Sequence, residues 1–184
     1  MRYPAAETAE KHQRILDEAS RLFRERGFGG VSVSEIMKAT GLTHGPFYNH
    51  FASKEALMAE SLAHASDMSM AGMREAESSP QAMVDYVQGY LSDWHRDDPG
   101  HGCLMSALGS EASRVPAVRA GFTAHVRATI RSLAAYYPWS AKRNARRDAI
   151  RMMAAMVGAM VLARAVDDPE LSEEILADVR SQFK

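Results

Sequence analysis

Apolar residues in this chain recur at three- and four-residue intervals and almost nowhere at alternate positions, which confines it to helices. The first run shows the pattern: Ile15, Leu16, Ala19, Leu22 and Phe23 share one continuous helical face. Gly27 follows, a residue that enters the left-handed conformation at a helix end without steric cost. A second start lies at Ser32-Val33-Ser34-Glu35, a capping-box pattern in which Ser32 caps and Glu35 reaches back to the Ser32 amide. The spacing predicts helices over 8–26, 33–39, 44–50, and from 53 to beyond 70, with Gly41 closing the second. Ser79-Pro80 and Asp168-Pro169 mark later starts, a capping residue followed by a proline whose missing N–H is no loss there. Pro116 opens a helix to 137 that Pro138 breaks; 140–166 reads as one long helix and 170–182 as the last. Residues 97–102 are a turn by composition. The chain is all-α, without an internal repeat or a low-complexity tract.

Composition narrows the function classes. Of 184 residues, 46% are apolar and 24% charged, an ordinary globular balance. Cys103 is the single cysteine, so no disulfide closes within the chain, and a lone thiol suits a reducing compartment. The first residues carry no secretory-leader pattern, and the expected location is the cytoplasm. The longest uncharged apolar stretch, residues 152–163, has 12 residues, short of the about 20 needed to span a bilayer, so no membrane partner is expected. Net charge is -1, from 22 Lys and Arg against 23 Asp and Glu, which excludes binding to nucleic acid through bulk positive charge. Any DNA contact has to come from a local, shaped surface.

Residues 33–51 offer such a surface. Two short helices are separated by a turn containing Gly41, and Val33, Ile36, Leu42, Phe47 and Phe51 can form the small core between them. This is the helix-turn-helix arrangement, whose second helix lies in the major groove while the first crosses the backbone. The exposed face of the second helix would carry His44, Gly45, Pro46, Tyr48, Asn49 and His50. Asn49 has the donor and acceptor to read a base, most naturally adenine. Tyr48 and His50 can donate to phosphate oxygens, and Lys54 can reach phosphate as a point charge. On spacing alone, a helical hairpin inside a bundle remains the alternative. Residues 1–60 hold eight basic and eight acidic side chains, but between Leu42 and Ser53 there are two histidines and no acid.

A wider set of residues bears on that choice: Gly27-Phe28 after the first helix, Ser32 and Ile36 in the second, Gly41, the run Phe47-Tyr48-x-His50-Phe51, and Ser53-Lys54-Glu55-x-Leu57. Over residues 8–60 the chain strongly resembles the DNA-binding segment of the tetracycline-repressor (TetR/AcrR) family of bacterial transcriptional regulators. The resemblance implies a phosphate-contacting tyrosine at Tyr48, a phosphate-contacting lysine at Lys54 and a capping hydroxyl against the DNA backbone at Ser32. Base-reading positions fall on Thr43, His44, Gly45 and Pro46, with Asn49 further along. Two departures stand out: Gly45-Pro46 supplies little side chain for direct readout, and Ala52 is uncharged where a basic residue would add phosphate affinity. The implied architecture is an N-terminal three-helix helix-turn-helix domain over 1–52 and a C-terminal helical effector-binding and dimerisation domain over 53–184. The implied function is that of a cytoplasmic homodimeric repressor, released from a palindromic double-stranded DNA operator by a small molecule, with no cofactor, metal or catalytic residue.

The residues beyond 60 support the second domain in part. Nine of twelve methionines lie there, and methionine suits adaptable apolar pockets. Tyr86, Tyr90 and Trp94 recur at four-residue spacing; with Cys103, Met105, Phe122, His125 and Met156 they can line a cavity, or simply pack as core. Cys103, at an expected helix start after His101, is either a sensor of oxidants and electrophiles or a small buried residue. A metal site at His95, His101 and Cys103 matches no familiar ligand spacing. Lys142, Arg143, Arg146, Arg147 and Arg151 read as a solvated basic face. Ala155, Gly158, Ala159, Leu162, Ile175 and Val179 are the expected two-fold interface. An enzyme on a helical bundle is the rival reading, against which the chain shows no phosphate loop, dinucleotide fingerprint or nucleophile–base spacing. A second rival is an architectural DNA binder without an effector.

Overall fold

The fold follows from a computed structural model that describes residues 5–43 and 45–183. Nine α-helices and no strand occur among the described residues. Helix α1 spans Ala5–Arg26, starting three residues ahead of the expected 8, and α2 spans Val33–Ala39. A five-residue 3-10 helix, Gly45–Asn49, comes next. It replaces the α-helix expected over 44–50: Pro46 lacks an amide donor, and a segment this short closes its bonds in the tighter form. Helix α3 (Lys54–Ala76) is capped by Ser53, whose hydroxyl accepts the Ala56 amide at 3.1 Å.

The rest of the molecule comprises α4 (Pro80–Tyr90), α5 (Asp93–Asp97), α6 (Leu104–Ala112), α7 (Pro116–Tyr136), α8 (Ala145–Ala165) and α9 (Pro169–Ser181). Helix α3 packs against α1, α4, α6 and α7, and α8 carries α5 and α9. Prolines stand at the starts of α4, α7 and α9, as the sequence requires. The long helix expected from 140 starts only at Ala145; ahead of it the Trp139 indole N–H donates to the Leu133 carbonyl at 2.8 Å and folds the chain back on α7. A 3-10 turn, Lys142–Asn144, then leads into α8.

Two cores result. The first joins α1, α2 and the 3-10 helix through Ile15, Phe23, Phe28, Ile36, Phe47 and Phe51, and extends to Leu108 and Ala112 of α6 and Val118 of α7. The second, between α3, α4, α7, α8 and α9, is rich in methionine: Met73, Met83, Met152, Met156 and Met160. The N-terminal unit is therefore built against the C-terminal one through a shared apolar seam.

Candidate nucleic-acid interface and ligand cavity

The helix-turn-helix is held by local hydrogen bonds. At the start of α2, the Glu35 amide donates to Ser32 Oγ at 3.2 Å and the Ser32 amide donates to Glu35 Oε2 at 2.8 Å, completing the capping box. The Ser32 amide and then its hydroxyl hold the Glu35 carboxyl below the usual carboxylate range. At the other end, Gly41 takes a φ of 73°. Its amide donates to the Lys38 carbonyl, and the Leu42 amide donates to the Met37 carbonyl at 2.9 Å, which is a Schellman closure. Arg14 of α1 donates to the Thr40 carbonyl at 2.6 Å and fastens this turn to the first helix.

The 3-10 helix is anchored from one side. Phe47 is fully buried and stacks on Phe51, with ring centroids 5.6 Å apart. Fixing those two rings inward turns the opposite side outward: Tyr48 is 68% exposed, and Thr43, Gly45 and Asn49 are exposed with it. Pro46 and His50 are half-buried. His50 lies against His12 and Phe51; burial, with His12 and Lys11 nearby, lowers its pKa. His44 lies outside the described residues. Lys54 Nζ donates to the Phe28 carbonyl at 2.7 Å, so the lysine also ties α3 to the turn after α1.

That turn carries a contact the sequence does not announce. The Phe28 amide donates to Glu111 Oε2 of α6 at 2.7 Å. Gly27, with φ 77°, lies so close that a Cβ there would run into the Glu111 carboxylate. Arg24 Nε donates to the Gly100 carbonyl at 2.7 Å. The end of α1 is thus clasped by the loop before α6 and by α6 itself.

A cavity of about 970 Å³ lies behind α1, walled by α3, α4, α7, α8 and residues 92–103. Tyr86, Tyr90, Cys103, Met105, His125 and Met156 line it together, and Trp94, 72% exposed, stands on its rim. Phe122 does not line it; the ring packs beside Gly109 of α6 and seals the seam between the cores. Periodicity missed the α3 wall, Ala65, Ser69 and Met73, although their four-residue spacing was there to read. Burial raises the pKa of Tyr86 to about 12 and that of Tyr90 well above its ordinary value, so both are neutral phenols.

Cys103 is buried at the start of α6, where its sulfur accepts the Met105 amide at 3.3 Å. The Cys103 amide donates to His95 Nε2 at 2.9 Å, which makes that nitrogen an acceptor and assigns the proton to Nδ1, 2.7 Å from the Tyr90 carbonyl. His101 Nδ1 pairs with Asp98 at 3.0 Å. Both His95 nitrogens are engaged, and no cluster of metal-ligating side chains occurs among the described residues.

The residues expected at a two-fold interface divide. Leu162 is 55% exposed, and Gly158 faces open space. Ala155 is half-buried, Ala159 is buried toward the second core, and Ile175 and Val179 pack half-buried against that core. Ile150 and Val161 of α8 and Leu171 of α9 are further exposed apolar residues. The basic run is exposed at Lys142, Arg143, Arg146, Arg147 and Arg151, with Arg147 and Arg151 3.5 and 3.6 Å from Asp148.

Comparison with known proteins agrees with this architecture. Residues 15–61 match the family model described as bacterial regulatory proteins, tetR family. The HTH-type transcriptional repressor DhaR of Mycobacterium sp. (strain GP1) is 31% identical over 102 residues, covering 55% of this chain and 52% of DhaR. The HTH-type transcriptional regulator UidR of Escherichia coli (strain K12) is 31% identical over 107 residues, 58% of this chain and 54% of UidR. The chain spans about half the length of these curated relatives. The reduced form of E. coli NemR superposes with a TM-score of 0.80 at 23% identity, covering 95% of both chains, which shows a common fold. Residues 15–61 thus carry the N-terminal segment of the tetR family of bacterial regulatory proteins, on an all-helical frame.

Proposed function

We propose that this chain is a repressor that holds a palindromic DNA operator as a homodimer and releases it when a small molecule enters the cavity. Residues 1–52 serve as the reading head and 53–184 as the effector-binding and dimerisation body. The observation that carries the reading is the five-residue helix with Phe47 buried beneath it and Tyr48 and Asn49 facing solvent. In this role Asn49 reads a base, Tyr48 donates to a phosphate, and Thr43, His44, Gly45 and Pro46 approach the groove at the helix start. The capped N-terminus of α2 at Ser32 adds partial positive charge toward the backbone. Lys54 adds a full charge close by while holding the Phe28 turn.

The outward face of α8, with Ile150, Ala154, Gly158, Val161 and Leu162, together with Leu171 of α9, supplies an apolar patch for a two-fold partner. Pairing there would space two heads about one DNA turn apart. The clasp of Glu111 and Gly100 on the end of α1 connects the cavity to the head. A ligand loosens DNA only if it binds the released arrangement more tightly. In this reading the chain binds DNA and effector in the cytoplasm and catalyses no reaction.

Selection of bound fragments from a pool of genomic DNA tests the reading. Enriched fragments are expected to share an inverted repeat, and sedimentation is expected to give a dimer at micromolar concentration. Recovery of fragments without a common sequence, or a monomer at that concentration, overturns it.

A further inference from the structure

Two of the groups expected to meet the DNA backbone are engaged inside the head. The Ser32 hydroxyl carries one proton, and it donates that proton to Glu35 Oε2 at 2.7 Å. What Ser32 then shows a phosphate is a lone pair, and an acceptor makes no hydrogen bond with a phosphate oxygen. Lys54 is half-buried and turned to the Phe28 carbonyl. Glu35 itself is exposed, and the Ser32 amide and then its hydroxyl hold the carboxyl below the usual carboxylate range. A full negative charge therefore stands beside Ser32 at neutral pH, and alone it would repel a phosphate.

One cation answers that charge. Arg26, the last residue of α1, places Nη1 3.2 Å from Glu35 Oε1, the oxygen that Ser32 does not use. The Ser32 hydroxyl, the Glu35 carboxylate and the Arg26 guanidinium thus form one chain of contacts at the start of α2. Arg26 and Glu35 are 49% and 50% exposed. An ion pair this exposed adds little stability in water, so bracing α1 to α2 is a weak reason for it. A guanidinium has five N–H donors, and the bond to Glu35 takes one. The turn after Arg26 is bare of side chains at Gly29 and Gly30. A Cβ on Gly29 would meet nothing within 4 Å, and one on Gly30 would run into the Arg26 carbonyl. Glycine at such places lets another backbone come close.

We infer that Arg26 is a phosphate-binding residue of the head, its guanidinium bridging the Glu35 carboxylate and a DNA phosphate, so that it cancels the one charge and holds the other. This rests on the regulator reading and deepens it by adding a backbone contact that supplies the donor Ser32 lacks. The contact is to phosphate, so it positions the head on every sequence alike.

Arg26→Gln and Glu35→Gln, each in the full chain, separate this role from that of a brace. Glutamine at position 35 keeps the capping-box partner, and both positions are exposed, so both variants are expected to fold, as a thermal melt checks. The probe is a DNA duplex of mixed sequence, about 30 base pairs long, titrated near neutral pH over a series of salt concentrations. Arg26→Gln is expected to weaken binding about tenfold. It is also expected to cut the slope of log affinity against log salt by about one for each head bound. Glu35→Gln is expected to bind at least as tightly as the natural chain, up to about threefold more, because the guanidinium is then left to the phosphate. A brace would show the opposite sign at Glu35: both variants would weaken binding alike, with the slope unaltered. Weakening by Glu35→Gln equal to that by Arg26→Gln, or Arg26→Gln matching the natural chain in affinity and slope, overturns the inference and leaves the regulator reading standing. Failure of the natural chain to bind the duplex at any salt concentration overturns both, so the two failures are distinguishable.

Discussion

The head and the body of this molecule are stabilised by different means. In the head, Phe23, Phe28, Phe47 and Phe51 are almost fully buried, α2 is capped at both ends, and Arg14 and Lys54 bond to backbone carbonyls. In the body, methionines such as Met73 and Met156 wall a cavity of about 970 Å³. Rigid rings and caps fix a shape, as the proposed contact with base edges requires. Methionines and a void leave room for a shape to be imposed from outside.

The largest effects should fall on the head. Phe47→Ala removes the ring beneath the reading segment and is expected to cost about 3–5 kcal/mol. Met156→Ala, beside an existing void, should cost about 2 kcal/mol, the low end for such a change. Chemical denaturation of the two variants ranks them; equal losses would break the contrast. The body has its own signature in pH. Unfolded, His125 titrates near 6.5; folded, burial holds it at about 4. Its contribution is complete above about 6.5 and is lost as pH falls toward 4, where only the unfolded chain takes up the proton, by up to roughly 3 kcal/mol. His125→Leu should flatten that part of the stability profile, and an unchanged slope would contradict the assignment.

Smaller effects separate reading from holding. Asn49→Ala should cost roughly 1–3 kcal/mol of discrimination at one base pair and leave the melting temperature unchanged. Ser32→Ala should lower stability by about 1 kcal/mol through the lost cap. If Asn49→Ala instead weakens every sequence alike, the residue positions the head and does not read.

Much of the head was legible because its determinants are local. The capping box at Ser32 and Glu35, the stops at Gly27 and Gly41 and the inward pair Phe47 and Phe51 are each set by neighbours within a few residues. The 3-10 form of Gly45–Asn49 was harder, since Pro46 signals a late start without saying which helix type closes. Contacts made across the chain left no local trace. Glu111 meets Phe28 from 83 residues away, and Lys54 turns to a carbonyl 26 residues back. In the body, apolar spacing shows that a residue faces inward but not whether it meets a neighbour or a void. Phe122 and Met156 look alike in sequence; the first seals the seam and the second lines the cavity.

The most direct test of the account is the affinity of a Tyr48→Ala, Asn49→Ala double variant for a selected operator fragment, measured beside its thermal melt. The account predicts at least about a hundredfold loss of affinity, some 3 kcal/mol, with a cooperative melt retained, because both side chains are exposed and Tyr48 meets the edge of the Phe47 ring. Undiminished binding by a folded double variant would contradict it.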